Sequence, residues 1–218
     1  MTAKLKCNVL CLIVASVVVG GSGVALLSDL ARPVVILVGP PLSGKTTLVA
    51  AIQRTYGIPG ISIEDLIVNH ASELQKLHPE GISLAEMRYD PAISRYVRSQ
   101  FDKMDLSRGV ALDGFPATRS QAEKLATMIA DFSLGPIVLQ LEIPDDTVRA
   151  RAARGGRQSD RPEIIEQRLK DYHREFDMIS VYYPNAKIVK IDGTKPEEVM
   201  WESVRQALDQ AGIHPAHK

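Results

Sequence analysis

A glycine-rich run that ends in a lysine and two threonines is the stretch best suited to chemistry. The run GPPLSGKT fits the pattern G-x-x-x-x-G-K-[ST], and it lies between an apolar run and helix-forming residues. Glycine lets the backbone turn tightly and aim N–H groups at phosphate oxygens, and the following helix adds its positive dipole end. We therefore predict a phosphate-binding loop (P-loop) for a nucleoside triphosphate, formed by Gly39, Pro40, Pro41, Leu42, Ser43, Gly44, Lys45, Thr46 and Thr47.

A carboxylate ends a second apolar run. The segment GVALDGFP, residues 109–116, reads as a strand that finishes at Asp113. Ligands bind at the carboxyl edge of parallel sheets, and Mg²⁺ prefers oxygen ligands. We therefore predict that Thr46 and Asp113 support a magnesium ion beside the triphosphate.

Six arginines lie between residues 149 and 168. The planar guanidinium group pairs with two phosphate oxygens at once, so a cluster of this kind suits the transfer of a phosphoryl group. A solvated basic helix surface is the alternative interpretation of the same residues.

Short β-branched runs alternate with helical patterns along the chain. This alternation predicts an α/β fold, in which a parallel sheet is covered by helices on both faces. The predicted strands are 33–38, 60–63, 109–113, 136–143 and 186–191.

The helix starts carry recognisable capping residues. Ser62, Asp90 followed by Pro91, and Thr118 are predicted to cap three helices. Apolar residues spaced by three and four over 162–183 predict one long amphipathic helix, and 195–211 supplies the last.

Composition indicates one globular domain. The 218 residues are 45% hydrophobic, and 26 basic residues balance 26 acidic ones, so we expect no nucleic-acid partner. We place this domain at 31–213. Both cysteines, Cys7 and Cys11, precede it, which argues against a disulfide framework.

The N-terminal residues 1–30 form a separate apolar segment. Lys4 and Lys6 precede about 21 uncharged residues, 7–27, a length that could span a membrane. A membrane anchor, a cleaved signal and an extension without a targeting role all stay open.

Four motifs in order, GPPLSGKTT, LDGFPATRSQA, RGGR and IDGTKPEEV, resemble the adenylate kinase family over residues 33–211. The resemblance implies a P-loop NTPase fold with a five-stranded parallel sheet, a helical monophosphate-binding segment at 62–90 and a short lid at 154–162. It also implies transfer of the ATP γ-phosphoryl group to a nucleoside monophosphate, most simply AMP, with Mg²⁺. We expect a monomeric kinase domain that works in the cytoplasm.

The resemblance also assigns roles to residues. Catalytic roles fall to Lys45, Asp113, Arg154, Arg157 and Arg168, and further contacts with ATP to Arg151, Gly193 and Lys195. Contacts with the acceptor fall to Ser62, Asp65, Gly114, Phe115, Arg119 and Gln121, of which Gln121 would read the acceptor base.

The acceptor side departs from the family pattern. Ile63 and Glu64 replace a Thr-Gly pair, and Val68 and Ala117 replace two phosphate-binding arginines, although Arg119 lies near enough to substitute in part. Each lost charged hydrogen bond costs about 1.5 to 3 kcal/mol, so the loss of two arginine contacts would weaken monophosphate binding by roughly two or more orders of magnitude.

Several functions therefore remain open at this stage. The acceptor is bound differently or is not AMP, or the chain is a nucleotide-binding module with little turnover. A kinase for another small molecule is a further alternative. A GTPase is disfavoured because the sequence contains no N-K-x-D motif.

Overall fold

The computed structural model describes residues 32–69, 84–156, 158–175, 178–184 and 186–216. Its sheet has five parallel strands in the order β2-β3-β1-β4-β5. They are β1 (Pro33–Val38), β2 (Gly60–Ser62), β3 (Val110–Asp113), β4 (Gly135–Glu142) and β5 (Lys187–Asp192). The predicted α/β fold with a five-stranded parallel sheet is confirmed.

Helices follow the strands along the chain. The described helices are α1 (Lys45–Tyr56), α2 (Ile63–Asn69), α3 (Leu84–Met87), α4 (Pro91–Phe101), α5 (Arg119–Asp131), α6 (Asp145–Arg154), α7 (Pro162–Glu175), α8 (Met178–Tyr182) and α9 (Glu197–Asp209). A short 3₁₀ helix, Gln158–Asp160, lies between α6 and α7.

Hydrophobic cores lie on both faces of the sheet. Successive side chains of a strand point to opposite faces, and β1 accordingly sends Val34 and Ile36 into one core and Val35 and Leu37 into the other. All four of these side chains are buried. The continuous apolar run of β1 is thus explained by burial on both sides, which fixes the position of the loop that follows it.

The three predicted helix caps are present. The Ser62 and Thr118 side chains accept hydrogen bonds from the backbone N–H groups of Asp65 and Gln121, and Asp90 accepts one from Ala92 at 2.6 Å. These bonds satisfy N–H groups that the first turn leaves without helical partners. The caps therefore fix where α2, α4 and α5 begin.

The apolar stripe predicted over 162–183 falls on two described helices, α7 and α8; residues 176 and 177 between them lie outside the described residues. Ile165 and Leu169 pack with Val148 of α6, whereas Ile179 and Tyr183 belong to a core beneath the sheet. One sequence pattern thus supplies two separate packing surfaces.

The N-terminal segment 1–30 also lies outside the described residues. Within the part of the chain that is described, no helix has both the length and the apolar character needed to cross a membrane.

Candidate active site

The P-loop joins β1 to α1, and two of its glycines are required by local geometry. A Cβ atom on Gly39 would lie 2.8 Å from the carbonyl oxygen of Leu141 in β4, and Gly44 has φ 101°. The first is too close for any side chain, and the second is a conformation that favours glycine. These positions let the backbone close tightly just before α1.

Leu42 adopts a left-handed conformation, with φ 58°, in the middle of the same loop. Such a conformation costs roughly 1 to 2 kcal/mol outside glycine. Arg151 of α6 holds it, because its guanidinium group donates hydrogen bonds to the carbonyl oxygens of Leu42 at 2.8 Å and Gly193 at 2.7 Å. Arg151 thereby ties the P-loop to the turn after β5.

Lys45 folds back onto the loop. Its Nζ donates to the carbonyl oxygens of Gly39 at 2.9 Å and Pro40 at 2.7 Å, and to the Ser43 hydroxyl at 3.2 Å. Burial lowers the pKa of Lys45 to about 8, against the opposing effect of Asp113. A phosphate group would give this ammonium a better partner than backbone carbonyls.

Thr46 and Asp113 meet at the carboxyl edge of the sheet. The pairing of β1 with β3 places Leu37 opposite Asp113, and the Thr46 hydroxyl donates to Asp113 Oδ2 at 2.5 Å. Asp113 is 5% exposed. Two hard oxygen donors beside a phosphate-binding loop fit a magnesium ion that keeps several of its waters.

A cavity of about 430 Å³ opens over the P-loop. It is lined by P-loop residues, by the end of β3, by the turn after α6 and by side chains of α2 and α7. The lining residues are Leu42, Ser43, Gly44, Lys45, Thr46, Thr47, Glu64, Arg88, Asp113, Gly114, Arg151, Gly155, Gly156, Asp160 and Arg168.

Two arginines and a glutamate occupy one side of this cavity. The Nη2 atoms of Arg168 and Arg88 lie 3.6 Å and 4.0 Å from the same oxygen, Oε2 of Glu64. Burial and the neighbouring charge of Arg88 lower the pKa of Arg168 to about 10. The cavity therefore concentrates positive charge although the whole chain has a net charge of zero.

A smaller cavity of about 80 Å³ adjoins the first and is shared by Arg88 and Arg168 with Ala117. Gln121 lies behind its wall, 2% exposed. The Gln121 side-chain amide donates to the Arg88 carbonyl oxygen at 2.8 Å, and its oxygen accepts from the Ala117 N–H at 2.7 Å. In this structure Gln121 therefore holds the backbone at Arg88 and Ala117 in place. Its contact with the acceptor base stays a prediction.

The structure brings together only part of the predicted residue set. Lys45, Thr46, Asp113, Gly114, Arg151 and Arg168 all line the large cavity. Arg154 and Arg119 are exposed. Neither is among the described residues that line this cavity or the smaller one beside it. Arg157 falls outside the described residues.

The remaining predicted residues have structural surroundings. Phe115 is 1% exposed in the core, Asp65 is exposed on α2, and Ser62 caps that helix. Gly193 is buried, and a Cβ atom there would lie 2.4 Å from the side chain of Ile143. Lys195 pairs with Asp192 at 3.6 Å. Their predicted contacts with nucleotides stay predictions.

Arg88 is the functional candidate that the sequence analysis missed. It lies in the turn between α3 and α4, in no motif, and close to Glu64 only through the fold. The available signal was compositional: Arg88 is the one arginine in the segment 62–90, where the expected arginine at position 68 is valine.

Comparison with known proteins agrees with this geometry. The family model described as "Adenylate kinase" matches residues 37–188. The chain is 33% identical to the adenylate kinase of Micrococcus luteus over 183 residues, which cover 79% of this chain and 89% of that protein. It is 31% identical to that of Bacteroides thetaiotaomicron over 81% of this chain and 98% of that protein. It is 27% identical to the adenylate kinase of Mesorhizobium japonicum over 81% of this chain and 96% of that protein.

Proposed function

Because the chain belongs to the adenylate kinase family, we propose that it transfers the γ-phosphoryl group of ATP to a nucleoside monophosphate. AMP is the simplest acceptor, and the products would then be two molecules of ADP. The observation that carries the proposal is the convergence of Lys45, Asp113 and Arg168 on one cavity, although they come from three separate parts of the chain.

The residues act by position and charge. P-loop N–H groups and Lys45 would hold the β- and γ-phosphates, and Arg168 would offset charge on the transferring group. The acceptor phosphate is already ionised at neutral pH, so the reaction requires no general base. Thr46 and Asp113 would hold Mg²⁺, which would supply positive charge to offset that of the phosphate groups.

Arg151 would act on ATP through the loops it joins. Its two hydrogen bonds fix the carbonyls of Leu42 and Gly193, so the P-loop and the turn after β5 face the nucleotide in a fixed relation. ATP is an intracellular substrate, and on that ground we infer that the kinase domain works in the cytoplasm.

An acceptor panel tests the proposal. Purified full-length chain is incubated with ATP and Mg²⁺ and with AMP, UMP, CMP or GMP in turn, and ADP formation is followed by a coupled assay. We expect transfer to at least one acceptor and none when Mg²⁺ is chelated. Undetectable transfer to all four, with ATP still bound, would reject the kinase assignment.

A second candidate function is nucleotide binding with little turnover. It is favoured by the acceptor side, where Val68 is 66% exposed and the Glu64 carboxylate, rather than open space, faces the two arginines. The same panel separates the two functions, because this candidate retains ATP binding and lacks transfer.

A further inference from the structure

Arg88 stands where the acceptor side lacks cations. Of the two positions at which the resemblance calls for arginine, Val68 is 66% exposed on α2 and Ala117 only lines the smaller cavity. Arg88 lines both cavities, as does Arg168. The side chains of Arg88 and Arg168 are 17% and 12% exposed, so both charges are largely removed from water.

Two guanidinium groups this close together call for an anion. Arg88 contributes to lowering the pKa of Arg168, which means that each cation disfavours the other. Within the described part of the chain, the buried Nε of Arg168 has no hydrogen-bond partner. A buried, unsatisfied charged donor is costly, and an oxyanion would satisfy it.

The Glu64 carboxylate supplies only a loose counter-charge. Its distances of 3.6 and 4.0 Å to the two arginines exceed the roughly 2.8 Å of a charge-assisted hydrogen bond. The Glu64 side chain is 37% exposed, so it has a route into solvent. A phosphate group, with more oxygens and more charge, can make shorter contacts with both arginines.

The turn that carries Arg88 is held in place by packing and hydrogen bonds. Gln121 donates to the Arg88 carbonyl oxygen, Met87 beside it is 1% exposed, and Asp90 caps α4 two residues later. Because the backbone is fixed on both sides, the Arg88 side chain is directed into the cavity.

We propose that Arg88 and Arg168 together bind the phosphate of the acceptor, and that this phosphate displaces the Glu64 carboxylate, which holds the position in the free protein. This inference rests on the proposed function, and it names the residue that replaces the arginines absent at Val68 and Ala117.

The test measures acceptor and donor constants separately in two opposed variants. Arg88→Gln is expected to raise the KM or Kd for the monophosphate at least about tenfold, the scale of one lost charged hydrogen bond, and to change the constant for ATP less than about twofold. Glu64→Gln is expected to lower the monophosphate constant by about threefold or more, because a competing anion is removed.

Matched controls are available on the surface of the same region. Arg95→Gln on α4 and Glu123→Gln on α5 remove exposed charges and are expected to leave both constants unchanged. Misfolding cannot produce the gain expected for Glu64→Gln. Arg88→Lys keeps the charge and should retain part of the affinity.

The outcomes separate this inference from the proposed function. Transfer by the wild type, with monophosphate constants unchanged in Arg88→Gln, overturns the inference and leaves the kinase standing. A wild type that binds AMP in an Arg88-dependent way without transfer overturns the kinase and supports the inference. If calorimetry detects binding of none of the four monophosphates, both are overturned; a raised constant in Glu64→Gln overturns the displacement.

Discussion

Lys45 carries its charge in a partly buried position, where backbone carbonyls, the Ser43 hydroxyl and the carboxylates of Asp113 and Glu64 favour it. Burial therefore lowers its pKa to about 8. A bound triphosphate strongly favours the charged form of Lys45 and therefore raises its pKa. Above pH 8, Lys45 must then take up a proton when ATP binds. The affinity for ATP is thus linked to pH through Lys45.

We predict that the Kd for ATP is flat below about pH 7.5 and weakens by up to about tenfold per pH unit above pH 8. Titration calorimetry between about pH 7 and 9.5 measures this. Lys45→Arg keeps its charge throughout and should lose the pH dependence. Lys45→Ala should also lower phosphoryl transfer at least about 100-fold; transfer at the wild-type rate would remove Lys45 from the mechanism.

Asp113 provides the second prediction at this scale. Replacement by asparagine keeps an acceptor for the Thr46 hydroxyl but removes the negative charge that would attract Mg²⁺. We expect kcat to fall about 100-fold and the Mg²⁺ concentration at half-maximal rate to rise. Asp105→Asn, an exposed site, is the control; equal Mg²⁺ dependence in the two variants would argue against a metal role for Asp113.

Helix α6 connects the two loops that would hold ATP through the hydrogen bonds of Arg151. Two of its arginines differ sharply in surroundings. Arg151 donates to partly buried loop carbonyls, whereas Arg149 pairs on the surface with Glu166 and Asp146. Exposed ion pairs contribute little to stability, because water and salt screen them.

We predict that Arg151→Ala lowers the free energy of unfolding by about 2 kcal/mol and raises the KM for ATP, because the strained Leu42 loses its hydrogen bond. Arg149→Ala is the matched control on the same helix and should change both quantities much less. Urea unfolding and initial rates supply the two measurements. Equal effects of the two substitutions would show that α6 does not support the P-loop through Arg151.

The loop after β3 provides another prediction. Ala117 lines the smaller cavity beside Arg88 and Arg168, so an arginine there can reach the same anion. We predict that Ala117→Arg, introduced into the wild type, tightens the binding of AMP. Introduced together with Arg88→Gln, it should restore most of the lost affinity for AMP, about tenfold. Measured AMP affinities decide this, and failure to rescue would point to a different acceptor.

Elements buried on both faces were the most predictable from sequence. All five strands are predicted to within one residue at each end. Strands β1, β3 and β4 are buried on both faces and therefore read as nearly continuous apolar runs. The P-loop and its helix are predicted equally well, since glycine positions and lysine follow from local backbone geometry. The division of the apolar stripe over 162–183 between two cores is not predicted, because one periodic pattern serves both.

Contacts between distant segments were the least predictable. Arg88 meets Glu64 and Arg168, residues far from it in sequence, and no local pattern encodes that meeting. Arg151 was assigned to ATP by resemblance, yet in the structure it binds the loops that flank the cavity. Likewise, Arg154 is exposed whereas the Arg168 side chain is largely buried, although both belong to the same arginine-rich run.

At the scale of the molecule, the parallel sheet collects these groups. Strands β1, β3 and β4 end at one edge, so the P-loop, Asp113 and the approach to α6 converge there although the chain between them is long. Positive charges held close together with little water oppose folding until an anion joins them. Ligand binding should therefore stabilise the whole fold and not only the loop.

This argument yields a final prediction, on unfolding. A ligand at 100 times its Kd stabilises the native state by about 2.7 kcal/mol, which corresponds to a rise in Tm of roughly 5 to 10 °C for a chain of this size. Trp201, the only tryptophan, packs edge to face on Tyr56 of α1 at 6.2 Å and reports unfolding by fluorescence. Mg²⁺-ATP should produce this shift in the wild type, a much smaller one in Lys45→Ala, and adenosine should produce little in either. A shift of the same size in Lys45→Ala would mean that Lys45 contributes little to binding the triphosphate, because that variant keeps every other group that lines the cavity.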